Sequence, residues 1–230
     1  MPASQLRGLS VKIVPMRYQL LIFLICLIFT NASCNKTQET QIVPRKKEPK
    51  GFSLNLSKAA LERTKHKVKY DPTYIEIDYP NGDVPPEIGV CTDVVIRSYR
   101  AIGIDLQKDI HEEMMHHFDE FPDRKRWGLT KPDSNIDHRR VPNLQVLFQR
   151  NGKNLAVTSD PKDYIPGDLV TWSVQGRPHI GIVVNRKKGN SERFMIVHNI
   201  GQGPVLEDML FKYPITGHYR YYGSYGRRKI

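Results

Sequence analysis

Cysteine is scarce in this sequence, with three in 230 residues, and two of the three, Cys26 and Cys34, lie near the start. A disulfide-stapled scaffold is therefore excluded, because Cys91 is alone downstream and has no intrachain partner there. Long apolar stretches are missing too. The run "LLIFLICLIF" at residues 20–29 has ten residues, well short of the ~20 that a helix needs to cross ~30 Å of hydrocarbon, and it suits a signal-peptide core. Acidic residues are outnumbered: 24 Asp and Glu face 35 Lys and Arg, for a net charge of +11. Residues 1–33 hold three of the basic residues and no acid, so eight of the net charges remain on the rest. Such a surface attracts polyanions by its long-range field, without choosing among nucleic acid, anionic lipid and cell-wall polymer. No internal repeat, dinucleotide motif or phosphate loop occurs, so no cofactor is expected. The basic tracts "PRKKEPK" and "GRRKI" lack interleaved aromatics, and no nucleic-acid partner is expected.

At this length there is room for one domain with a sizeable core, plus an anchor. After the apolar run, "TNASC" places Ala32 and Ser33 before Cys34. That order resembles a bacterial lipoprotein signal with Cys34 acylated, although Asn31 stands where an aliphatic residue is usual. The resemblance implies a lipid anchor to a bacterial membrane and a place in the cell envelope or periplasm. Plain signal-peptidase cleavage and an uncleaved signal anchor are the alternatives, and the charged start could equally be Met16-Arg17. The division is then 1–33 signal peptide, 34–53 flexible tether rich in Lys, Glu, Gln, Thr and Pro, and 54–230 globular domain.

Within the domain, Ser57 can cap a helix through "KAALERTKHKV", and "TYIEIDY" alternates like a short strand. Val94, Val95, Tyr99 and Ile102 follow helical spacing, ended by Gly103. "LQKDIHEEMMHHFDEF" and "PNLQVLFQR" predict two more helices. Downstream, "DLVTWSV", "HIGIVVN", "RFMIVHNI" and "TGHYRYYG" predict strands separated by turns. Helices first and an antiparallel meander second is an α+β pattern.

An exported chain with one unpaired thiol raises the possibility of a nucleophile, against the bland reading of an inert buried cysteine. Cys91 falls at a helix start, where unpaired N–H groups favour a thiolate. A base and an orienting group are also required. His179 opens one predicted strand, with Gly181 leaving room beside it, and His198 ends the next, so a hairpin would bring the two together.

The segments "YPNGDVPPEIGVCTDVVIRSYRAIGIDL", "PGDLVTW", "HIGIVV" and "VHNIG" resemble, in this order, the NlpC-type cell-wall cysteine peptidases, a bacterial branch of papain-like enzymes. The resemblance implies a papain-like fold, with N-terminal helices packed on an antiparallel β-sheet. It implies Cys91 as nucleophile, His179 as base, His198 as third member and Tyr79 lining the nucleophile side of the cleft. Val90-Cys91-Thr92-Asp93 stands where that family has Asp-Cys-Ser-Gly. The whole block, with "NIDHRRVPNL" and "ITGHYR", looks closer still to the uncharacterised bacterial domain of unknown function 1287.

Two other polar clusters stand out. Residues 131–143, "KPDSNIDHRRVPN", offer Asp137, Arg139 and Arg140, which could grip carboxylates of a wall peptide or could hold their own loop together. In "HEEMMHHFDEF", His111 and His116 are five apart, not the four of a zinc helix, so a structural helix and no metal are expected. The reading that results is an exported thiol hydrolase cutting an amide bond in peptidoglycan stem peptides. The alternative is a non-catalytic envelope lipoprotein binding such peptides in the same cleft.

Overall fold

The structure, a computed structural model, describes residues 51–224. The expected signal segment, Cys34 and the basic tail lie outside the described residues. Helix α1 (Phe52–Arg63) starts after Gly51, whose φ of 73° favours glycine. It begins earlier than the Ser57 cap predicts, because Phe52 buries its ring against Tyr99 and Tyr222. Ser57 is instead a buried residue inside the helix, and its hydroxyl accepts a bond from the Asn185 N–H at 2.8 Å. The expected strand at 73–79 does not form a ladder. That stretch is held by side chains: the Ile77 N–H donates to Asn135 at 3.0 Å, and the Thr73 carbonyl accepts from Arg139.

Two short parallel strands, β1 (Lys69–Tyr70) and β2 (Ile88–Gly89), lead into helix α2 (Cys91–Arg100). Asp93 fixes the start of α2 by accepting the Val90 N–H at 2.6 Å. Thus the aspartate that replaces the resembled family's glycine caps the helix that carries Cys91. Helix α3 (Leu106–His117) is capped by Asp105, which accepts the Gln107 N–H. Short α4 (Asp123–Trp127) and α5 (Val141–Asn151) follow, the latter with proline in its first turn.

The strands are β3 (Lys153–Asn154), β4 (Leu169–Val174), β5 (Arg177–Lys187), β6 (Phe194–His198), β7 (Val205–Glu207) and β8 (Ile215–Arg220). They form one antiparallel sheet in the order β3-β8-β4-β5-β6-β7. The expected meander therefore runs through β4 to β7, and β8 returns to the opposite side of β4. Period-two alternation gives each face its own core. Ile180, Ile182, Val184, Val197 and Tyr219 pack with Val94, Val95, Tyr99 and Phe148 of the helices. Val170, Trp172, Val183 and Ile196 turn the other way, onto Tyr164, Met209 and Leu210. The Trp172 indole N–H is satisfied by the Leu210 carbonyl at 2.9 Å. Helices before an antiparallel sheet make the α+β architecture expected of a papain-like domain. No helix among the described residues is long and apolar enough to cross a membrane.

Gly181 sits where β5 and β6 press closest. A Cβ there would lie 2.6 Å from Ile196 Cγ2 and 3.1 Å from His198 Cβ. Gly181→Ala is expected to lose about 1–3 kcal/mol by overpacking, measured by urea denaturation. A loss below about 0.5 kcal/mol would show that β6 yields freely.

Candidate active site

Cys91 is the first residue of α2 and is only 5 % exposed. Burial pushes its thiol up to about 12. The N–H groups of Ile180, Thr92 and Cys91 itself act in the opposite sense, and Asp93 adds to the rise. The expectation that the helix start keeps a thiolate ready is thus corrected: desolvation outweighs the favourable N–H groups.

Two tethers bring the sheet to this helix start. The Ile180 N–H acts on the sulfur, and Ile180 is the neighbour of His179. Buried Asn199, next to His198, donates to the Gly89 carbonyl at 3.3 Å, two residues before Cys91. The same side chain accepts the Gly201 and Gly203 N–H groups, fixing the turn after β6.

His179 lies opposite Trp172 in the β4–β5 register, with ring centroids 6.0 Å apart. Its Nε2 is 3.2 Å from His198 Nδ1, with the rings at 89°. The predicted pairing of the two histidines is therefore present. Burial drives His179 down to about 3, reinforced by His198 and opposed by Glu207. Burial also lowers His198, again against Glu207. Both rings are neutral at pH 7. Among the described residues no hydrogen bond joins His179 to the Cys91 sulfur, so thiol and imidazole are neighbours through Ile180 rather than a preformed pair.

Sequence reasoning missed Glu207. Its Oε2 lies 3.2 Å from His198 Nε2, while Oε1 accepts from Lys212 Nζ at 2.6 Å. The Lys212 hydrogen bond holds its carboxyl below the ordinary value. The three-residue strand β7 offered no periodicity to read, and only the register Ile196↔Glu207 brings Glu207 beside His198.

Tyr79 does not line the thiol as expected. Its ring packs on His111 at 4.8 Å, and the charges nearest its hydroxyl are Glu112, Lys108 and Asp105. Tyr70 on β1 is the tyrosine whose phenol feels the charge of the Cys91 position. Burial raises its phenol, Cys91 and Asp93 add to the rise, and Arg177 and Arg139 oppose it. The signal that could have found it is its pairing with Gly89, which is not visible in one sequence. A cavity of about 330 Å³ runs along α2 beside Arg63, Arg97 and Arg100. Cys91 and His179 are not among its lining residues.

Residues 57–221 match the family model described as domain of unknown function 1287. The chain belongs to this family. Over 171 residues it is 44 % identical to the uncharacterized protein YijF of Escherichia coli (strain K12), covering 74 % of this chain and 82 % of that one. Among solved structures it is similar to NlpC1 and NlpC2 from Trichomonas vaginalis, at 15 % and 17 % identity and TM-scores of 0.40 and 0.37. Those alignments cover 77 % and 76 % of this chain, but 46 % and 48 % of the two neighbours, so the chain spans about half their length.

In this member of the 1287 family, the polar loop at 131–143 turns inward. Arg139 makes a buried ion pair with Asp93 at 3.0 Å and donates to the Asp71 and Thr73 carbonyls. Arg140 bonds Asp123 at 2.8 Å and Asp137 at 3.3 Å, and stacks 4.2 Å from the Trp127 ring centroid. Asp137 is fully buried and accepts the Asp133 N–H. The loop-holding alternative describes this cluster. Asp137 and Arg139 present no free group to a ligand, because their polar atoms are already engaged within the cluster.

Two measurements check this account. Arg139→Ala strands Asp93 and should cost about 3–5 kcal/mol in denaturant unfolding; a loss under 1 kcal/mol would contradict the buried pair. Asp137 is raised from 3.8 to about 8, by burial first and by Asp123, against the Asp133 N–H and Arg140. The folded state therefore holds this proton more tightly than the unfolded chain. Its contribution to stability is present below pH ~4 and falls as pH rises toward about 8, opposite to the usual carboxylate. Asp137→Asn should flatten that slope in urea midpoints between pH 4 and 8; an unchanged slope would refute it.

Proposed function

We propose that this protein is an exported, lipid-anchored thiol hydrolase that cleaves an amide bond in peptidoglycan stem peptides, with Cys91 as nucleophile and His179 as base. The observation that carries the reading is a chain of imidazole, imidazole and carboxylate, His179 to His198 to Glu207, that begins one residue before Ile180, whose N–H acts on the sulfur of a cysteine at a helix start. Separating a proton between groups set at about 12 and about 3 costs about 12 kcal/mol. Attraction between the resulting charges at ~4 Å returns only ~4 kcal/mol. An ion pair is thus not the resting state, and the proton leaves sulfur as the C–S bond forms.

In the first half-reaction, the thiol proton passes to His179 while sulfur adds to the amide carbonyl. The oxyanion is held by backbone N–H groups at the helix start. The C–N bond then breaks, and the leaving nitrogen takes the proton from His179. In the second half, His179 takes a proton from water as hydroxide adds to the thioester; the C–S bond then breaks to give a carboxylic acid, and the departing sulfur takes the proton back from His179 to restore the thiol. Arg177, two residues before His179 on β5, makes no ion pair among the described residues, and it supports a substrate that carries a carboxylate near the scissile amide. The net basic charge supports an anionic wall environment.

A second reading, a non-catalytic envelope lipoprotein that binds wall peptides, is favoured by the un-ionised thiol and its missing bond to His179. Incubating the full-length protein with peptidoglycan fragments and weighing the products separates the two. Hydrolase activity predicts a mass gain of one water across the products, and Cys91→Ala should remove it; unchanged product would end the proposal. Site-resolved alkylation of Cys91 should rise tenfold per pH unit above pH 9 without a plateau below pH 7. A plateau there would show a thiolate instead.

A further inference from the structure

We infer that Glu207 is a positioning residue that sets which nitrogen of His198, and through it of His179, carries the proton. This rests on the catalytic reading for its use, but not for its geometry. A carboxylate only accepts, so Glu207 Oε2 at 3.2 Å requires the proton on His198 Nε2. Neutral His198 then has a bare Nδ1, which must accept from its partner 3.2 Å away, and that puts the His179 proton on Nε2. His179 Nδ1 is left with a free lone pair, and among the described residues nothing donates to it. The lone pair that can take a thiol proton is thus fixed two side chains away, at Glu207. Were the order reversed, His179 would carry its proton on Nδ1 and could not act as a base there.

Lys212 fixes the sense of this device. It donates to Oε1 at 2.6 Å, so one oxygen of Glu207 is tied to a cation and the other remains for His198. In Glu207→Gln the amide has one oxygen and one NH2. Lys212 can only donate, so it draws the oxygen, and the NH2 turns to His198. His198 then accepts at Nε2 and carries its proton on Nδ1, and the whole order inverts. Removing the lysine as well, in Glu207→Gln/Lys212→Met, frees the amide to rotate and restore the original order.

The test is the 15N spectrum of the histidine rings in the full-length protein at pH 7, which needs no substrate. Wild type should show both His179 and His198 protonated at Nε2; finding either at Nδ1 overturns the inference even if no variant folds. Glu207→Gln should move both protons to Nδ1 and slow acylation of Cys91 by an activated ester at least tenfold, with an unchanged melting temperature. Lys212→Met added to it should recover most of that rate. Unmoved ring protons in Glu207→Gln would refute the role. Protons that move while wild-type Cys91 never acylates would instead sink the catalytic reading and leave the positioning intact.

Discussion

The site depends on desolvation where the start of α2 meets the end of the sheet. Cys91, His179 and His198 are all removed from water at this junction, and the cost of charge there outweighs every favourable contact the thiol has. Helix N–H groups, which would stabilise an exposed thiolate, act here on a sulfur packed in the apolar core. The consequence is a neutral thiol at the helix start and a neutral imidazole pair at the strand ends. On the proposed reading, chemistry waits for a substrate that accepts electron density as the proton moves.

That junction is held by polar groups with their partners in place. Asp93 caps α2 and pairs with Arg139, which in turn binds the carbonyls of the 71–73 stretch. Asn199 joins β6 to Gly89, and at the other end of β4 Asp168 receives His218 and Arg220 of β8. The residues of the 131–143 loop that resemble a carboxylate grip are therefore the frame on which the helix carrying Cys91 stands. Each member is costly to remove singly, because burial leaves its partner without water.

What the sequence made legible follows from periodicity. Val94, Val95 and Tyr99 announced α2, Gly103 its end, and the β-branched runs β4, β5, β6 and β8. The neighbouring histidines followed from an antiparallel hairpin. Sequence did not reveal partners brought in by non-local pairing. Tyr70 is placed opposite Gly89 by a two-residue parallel strand, and Glu207 reaches His198 through a three-residue one, both too short for any pattern. Tyr79 followed from the resemblance alone, and its ring packs on His111 instead. Ser57 looked like a cap, because nothing upstream showed that Phe52 would have a pocket between two tyrosines.

The central claim is that Cys91 reacts through His179 although neither is ionised at rest. Rapid quenching of the full-length protein with peptidoglycan fragments, followed by peptide mass analysis, tests it most directly. The account predicts a thioester on Cys91 in the wild type and none in His179→Ala. Product formation that survives His179→Ala, or an acyl group found on any other residue, would contradict it.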